Sequence, residues 1–228
     1  MQQQTQEKKD GILLIHKPRG ITSHDAVDII RKKLKTRKVG HAGTLDPLAE
    51  GLLIVLVGAC TKLFPKFVKF DKEYLGILKL GEKTYSGDSQ GHILEKKDFS
   101  GLSKEDIEKV FSSFKGPSEQ IPPMVSAIRQ KGKRLYNLAR KGLEVERKAR
   151  SINIFSLDII KIDMPFVEFK VHCSKGTYVR KLAEDIGEKL GCGAHMTKIL
   201  RLGVGHYKLS DSVGLEEVAA KDLKPANL

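Results

Sequence analysis

The chain has 228 residues, 40% of them hydrophobic, enough to fill a core, so disorder is excluded as the default state. Its 41 Lys and Arg against 28 Asp and Glu give a formal net charge of +13, which points to a polyanion, above all nucleic acid, because neutralising phosphates releases counterions. No run reaches the roughly 18 apolar residues of a membrane-spanning helix, and the polar MQQQTQEKKD start does not read as a signal peptide, so a cytoplasmic chain without membrane attachment is expected.

Ile12 to Ile15 is an apolar run of strand length, closed by a turn at Lys17 to Gly20. A helix follows: Thr22 with Asp25 three residues on has capping-box spacing, and Ala26, Ile29, Ile30 and Leu34 recur at helical period, leaving Arg31, Lys32 and Lys35 wet. The segment GHAGTLDPLAEGLL, Gly40 to Leu53, then sets Asp46 in a loop between this basic helix and an apolar strand from Leu52 to Val57. Gly40 and Gly43 supply backbone freedom, and Pro47 biases Asp46 away from helical geometry, so the acid is presented on a turn. Turn chemistry alone explains many Asp-Pro pairs, but Arg37, Lys38 and His41 on one side and the apolar run on the other put this carboxylate at the edge of a core. There it must be paired with a cation or hydrogen-bonded to stay ionised.

Tyr74 to Leu80 alternates as a strand, and the Gly- and Ser-rich stretch Thr84 to His92 turns it towards Ile93 and Leu94 in an antiparallel pairing. Ser103 and Asp106 again have capping spacing, ahead of a helix with Ile107, Val110, Phe111 and Phe114 on one face and Gly116-Pro117 as its stop. Between Arg129 and Arg150 lies the densest positive field, with Arg129, Lys131, Lys133, Arg134, Arg140, Lys141, Arg147 and Lys148 interrupted by Tyr136 and Leu138, which reads as an ordered basic insertion. Val167, Phe169, Val171 and Cys173 alternate on a half-buried strand, followed by a helix with Val179, Leu182, Ala183, Ile186 and Leu190 inward. Arg180 stands in the first turn of that helix, where a cation opposes the helix dipole and so implies a partner acid.

Cys60, Cys173 and Cys192 lack any CxxC pair, the seven histidines form no HxH or HxxxH pattern, and neither GxxxxGK[ST] nor GxGxxG occurs. Neither metal nor organic cofactor is expected. The irregular mixture of strands and helices, without a βα repeat, argues for an α+β fold with a mixed, largely antiparallel sheet flanked by helices. The simplest division is a polar tail over residues 1–10 and one catalytic domain over 11–228, including the basic insertion near 117–150.

Several separated segments together resemble the bacterial TruB family, the tRNA pseudouridine-55 synthases that isomerise a uridine in the T-arm. They are LLIHKPRGITSHDAV, GHAGTLDPLAEGLL, KEYLGILKLGEKTYSGDSQG, QIPPMVSAIRQKGKRLYNLARKG and VHCSKGTYVRKLAEDIGEKLGCGAHMTKILRLGVG, in that order along Gly11 to Leu223. The resemblance implies the pseudouridine synthase fold, and it implies that Asp46 is the catalytic acid that attacks the target nucleoside. Tyr74 would stack on the flipped base and suit proton transfer, and Arg180 would pair with Asp46. His41 would serve T-loop entry and base flipping, while Ile199, where the family more often has Leu, would keep an apolar wall beside the base. Lys17 and the insertion cations Arg129, Lys131, Lys133 and Arg134 are the candidates for binding the RNA. The expected partner is the tRNA T-arm, with no obligatory protein partner and a monomer as the working form. The family commonly carries a C-terminal RNA-binding domain of the PUA type; none is expected in a sequence ending at Leu228, and weaker tRNA binding with intact chemistry would follow. The rival readings are a non-catalytic RNA-binding protein on the same fold, a related guide-RNA-dependent pseudouridine synthase, and a glycosidase with paired carboxylates, for which Glu50 is the only second acid close to Asp46 in sequence.

Overall fold

A computed structural model of the chain describes residues 10–126, 128–130, 132–139 and 141–226. They form two compact units, one from the residues up to Phe70 together with those from Arg201 onwards, the other from Asp71 to Leu200.

In the first unit β1 (Gly11–Lys17) is buried at every position except His16. The strand therefore extends two residues past the end of the apolar run, and Lys17 is its last residue instead of the start of a turn. Helix α1 (Ser23–Leu34) begins at the expected capping box: Thr22 Oγ1 accepts from the Asp25 amide at 3.1 Å, and Asp25 Oδ2 accepts from the Thr22 amide at 2.8 Å. It buries Ala26, Val27, Ile30 and Leu34, and Arg31, Lys32 and Lys33 complement the negative end of its dipole. Next comes β2 (Val39–His41), antiparallel to β3 (Glu50–Val57), with Val39 opposite Val57 and His41 opposite Val55. Asp46 thus lies in the connection of a hairpin, and Gly40 is a strand residue. On its other edge β3 pairs antiparallel with β1, and from Gly51 onward every β3 residue is buried, as the unbroken LLIVLV run requires of a strand covered on both faces. The short α2 (Phe64–Phe67) closes this part, with Phe67 in the core.

The second unit opens with β4 (Lys72–Leu80), whose strict alternation buries Lys72, Tyr74, Gly76, Leu78 and Leu80 on one face. Strands β5 (Glu82–Thr84) and β6 (Ile93–Lys96) form an antiparallel hairpin, so Ile93 and Leu94 belong to a strand that pairs with this separate short strand and not, as expected, with the strand carrying Tyr74. Helix α3 (Lys104–Ser112) carries the second capping box and ends before the Gly-Pro pair; Gly116 instead opens the edge strand β7 (Gly116–Gln120), a place where the missing Pro117 amide costs no ladder bond. The basic insertion contains a two-residue pairing, β8 (Arg129–Gln130) with β9 (Lys133–Arg134), and the short α4 (Leu135–Ala139). The long β10 (Arg150–Asp163) and β11 (Phe166–Cys173) follow, then α5 (Val179–Lys189) and β12 (Ala194–Val204). The strand order here is β12, β4, β11, β10, β7. Inward Val167, Phe169, Val171 and Cys173 are all fully buried, and Phe111 of α3 meets Phe169 edge-on at 5.6 Å.

From Arg201 the chain returns to the first unit, where β13 (Tyr207–Lys208) folds back on β12 and Tyr207 stacks on Phe67 at 5.8 Å. Finally β14 (Val213–Gly214) pairs with β1, in parallel. Each unit is α+β with largely antiparallel pairing, as the irregular element order implied.

Candidate active site

In the first unit the connection between β2 and β3 is pinned on both sides of Asp46. Leu45 is held by Ser23 at the start of α1: its amide donates to Ser23 Oγ at 2.8 Å, and the Ser23 hydroxyl lies 3.0 Å from the Leu45 carbonyl. On the other side the Pro47 carbonyl accepts from the Gly20 amide at 2.7 Å, and the Asp46 carbonyl accepts from Ala49 at 3.0 Å. Earlier in the loop the Ala42 amide donates to Ile54 O at 2.8 Å. Asp46 is half-buried between these anchors.

A buried arginine that the sequence did not single out completes the loop. Arg201, 1% exposed, donates from Nε to Leu52 O at 2.7 Å, from Nη2 to Gly43 O at 3.1 Å and from Nη1 to Thr44 O at 3.4 Å. Its backbone lies against Gly51, whose φ of +107° and lack of a side chain are both required there: a Cβ would overlap the Arg201 carbonyl oxygen and amide.

Lys17 is wholly buried, with Nζ donating to Pro18 O at 2.9 Å and Ile21 O at 2.8 Å. Burial lowers its pKa from 10.5 to about 8; Asp46 opposes that shift, Arg201 adds to it, and Glu50 and Asp25 also favour the ammonium. The cation therefore belongs to the electrostatics of the Asp46 loop. His41, half-buried, ends β2 just before that loop.

In the second unit Tyr74 lies on β4 in register with Val171, 9% exposed. Arg180 is the second residue of α5 and 3% exposed. Its Nη1 donates to Ser86 O at 2.6 Å and its Nη2 to Val125 O at 2.8 Å, while Nε stands 3.7 Å from Asp88 Oδ2. Within this unit the acid beside Arg180 is Asp88, whose Oδ1 accepts from Ser86 Oγ at 2.6 Å and from the Gln90 amide at 3.0 Å. Further hydrogen bonds hold the segments on either side of this arginine. Ser89 donates to Met196 O and Met196 to Gly87 O, stitching the Thr84–His92 loop to β12. The buried Gln120 side chain binds Tyr178 reciprocally, Nε2 to its carbonyl at 3.2 Å and Oε1 from its amide at 2.8 Å, at the N-cap of α5. Ile199 is 4% exposed on β12.

Lys131 lies outside the described residues, as do the side chains of Arg129, Lys133 and Arg134. Cys173 is buried and its thiol is pushed up to about 12 by that burial, which makes it an inert core residue. Among the described residues no group of three or more His, Cys, Asp or Glu could hold a metal ion, and no helix is long and apolar enough to cross a membrane.

The chain is similar to known proteins. The model of the TruB family pseudouridylate synthase N-terminal domain matches residues 31–179, and that of the tRNA pseudouridylate synthase B C-terminal domain matches 180–225. A tRNA pseudouridine synthase B of Clostridium tetani is 46% identical over 215 residues, covering 94% of this chain and 74% of the relative. One from Opitutus terrae is 41% identical over 220 residues, 96% of this chain and 91% of the relative. Among solved structures, a Cbf5–Nop10–Gar1 complex contains a chain matched with a TM-score of 0.75 and 27% identity over 94% of this chain and 60% of that one.

Proposed function

The chain belongs to the TruB family of pseudouridylate synthases, and on that premise we propose that it isomerises a uridine in the T-arm loop of tRNA to pseudouridine, with Asp46 as the nucleophile. Isomerisation breaks the glycosidic C–N bond, turns the base and rejoins it through carbon C5, whose proton leaves. The detached base must stay held and water must stay out, which favours a covalent intermediate on a fixed, ionised carboxylate. One observation carries this reading: Asp46 is flanked by Leu45 and Pro47, both hydrogen-bonded to the short segment from Gly20 to Ser23 at the start of α1, so the backbone that presents the carboxylate is preorganised before substrate arrives.

Arg180 would supply the guanidinium that orients and keeps Asp46 ionised, with Ser86, Val125 and Asp88 fixing its fork. Tyr74 offers a flat face for the flipped base and a phenol for proton transfer, with Ile199 as an apolar wall. His41, next to the loop, would help admit the T-loop, and the insertion cations with Arg31 to Lys38 would bind phosphates, offsetting the few kcal/mol of unstacking. The enzyme would work in the cytoplasm as a monomer without metal, cofactor or protein partner; light scattering showing a stable dimer would contradict that state.

Tritium release from transcripts labelled at C5 of uridine tests the reaction directly. Release in the presence of a chelator, at one equivalent per tRNA, is expected; binding without release favours the non-catalytic RNA-binding reading.

A further inference from the structure

We infer that the exposed ring pair Tyr85–His92 is a stacking platform for an unpaired base of the RNA substrate other than the target uridine, an inference that rests on the RNA reading above. The two rings lie 5.2 Å apart at 13° between planes, at the neck of the Thr84–His92 loop, which the Tyr85 amide closes by donating to His92 O at 3.0 Å. The tyrosine is left 41% exposed and His92 is exposed as well, so the pair leaves aromatic surface in water instead of contributing it to the core.

The platform is rigid. His92 supports the Tyr85 ring on one side, and the Tyr85 hydroxyl donates to Ala139 O of α4 at 3.3 Å, tying it to the basic insertion. A flat face already fixed in place costs little ordering on binding. Its neighbour along the chain is Ser86, whose carbonyl holds the Arg180 guanidinium, so a base seated there would bear on the segment that fixes Arg180. A nucleobase suits the surface better than an apolar protein segment, because any base can stack on such a ring and the attached insertion is rich in cations that favour phosphates.

The test combines Tyr85→Ala, Tyr85→Phe and His92→Ala with T-arm stem-loops in which each loop nucleotide except the target is made abasic in turn, Kd being read by filter retention. Tyr85→Ala should weaken binding about tenfold, and Tyr85→Phe, which keeps the ring and loses the hydroxyl bond, less than about threefold. One abasic position should weaken the unsubstituted protein by a similar factor and have no further effect on Tyr85→Ala. Equal impairment by Phe and Ala would mean that the hydroxyl strap matters and the ring does not. Unchanged binding by Tyr85→Ala, or additive losses at every abasic position, would likewise overturn the inference. Because Kd is read without turnover, these outcomes are separate from a failure of the isomerase reading, which would appear as absent tritium release.

Discussion

Ser23 and Leu45 bind each other through both polar groups of one peptide-like pair, with the Leu45 amide donating to Ser23 Oγ at 2.8 Å and the hydroxyl 3.0 Å from the Leu45 carbonyl. One small buried side chain at the start of α1 thereby fixes the residue before Asp46. Replacing it with Ala leaves a buried donor and acceptor unmet, a cost of about 2–3 kcal/mol. Ser23→Ala should lower the melting temperature by about 4–10 °C and reduce kcat more than it raises KM for tRNA. Calorimetry and tritium release measure both; an unchanged kcat would dissociate this clamp from the carboxylate.

Arg201 should matter more for stability than any exposed arginine. Its three carbonyl acceptors belong to the Asp46 loop and to β3, and its own backbone presses on Gly51. Arg201→Met should destabilise by about 3 kcal/mol or more, since the buried Leu52 carbonyl and the partly buried Gly43 and Thr44 carbonyls lose their donor. Gly51→Ala should also destabilise, because the left-handed φ and the overlap with the Arg201 backbone act together. Unfolding free energies from denaturant titration within about 0.5 kcal/mol of the unsubstituted protein would contradict the packing described.

Lys17 makes stability depend on pH in a defined window. With its pKa lowered from 10.5 to about 8, the unfolded chain holds more protons on this residue than the folded one between those values. Stability from this group therefore rises as pH increases from about 8 towards 10.5, and the penalty for burying the ammonium is fully present below 8. The difference in unfolding free energy between the unsubstituted protein and Lys17→Met should shift in favour of the former across that range. A flat difference would mean that the lysine titrates normally.

Local rules made much of the fold legible. The Thr22–Asp25 and Ser103–Asp106 spacings marked both capping boxes, and the alternation from Val167 to Cys173 marked the buried face of β11. Asp46 stood out as a charge at the edge of an apolar run, and Arg180 as a cation in the first turn of a helix, where it opposes the dipole. What stayed hidden depends on distant partners or on very short elements. Three-residue β2 has no periodicity to read, and Lys17 looked like a turn residue until its carbonyl acceptors were visible. Arg201 is an ordinary strand cation in sequence; its acceptors, including Gly43 O, lie about 150 residues earlier and exist only once the Asp46 loop has closed. Asp88 and Gln120 were likewise hidden, since each acts on α5 from a separate loop or edge strand.

The central claim is that Asp46 is the nucleophile for a uridine in the T-arm. Unmodified tRNA transcript should be incubated with the protein and with Asp46→Asn, and pseudouridine mapped by carbodiimide labelling and primer extension. A single T-loop stop with the unsubstituted protein, absent with Asp46→Asn although that variant still retains tRNA on filters, is the expected result. A stop that persists in Asp46→Asn would contradict the assignment of the nucleophile, and a stop elsewhere in the tRNA would contradict the assigned target.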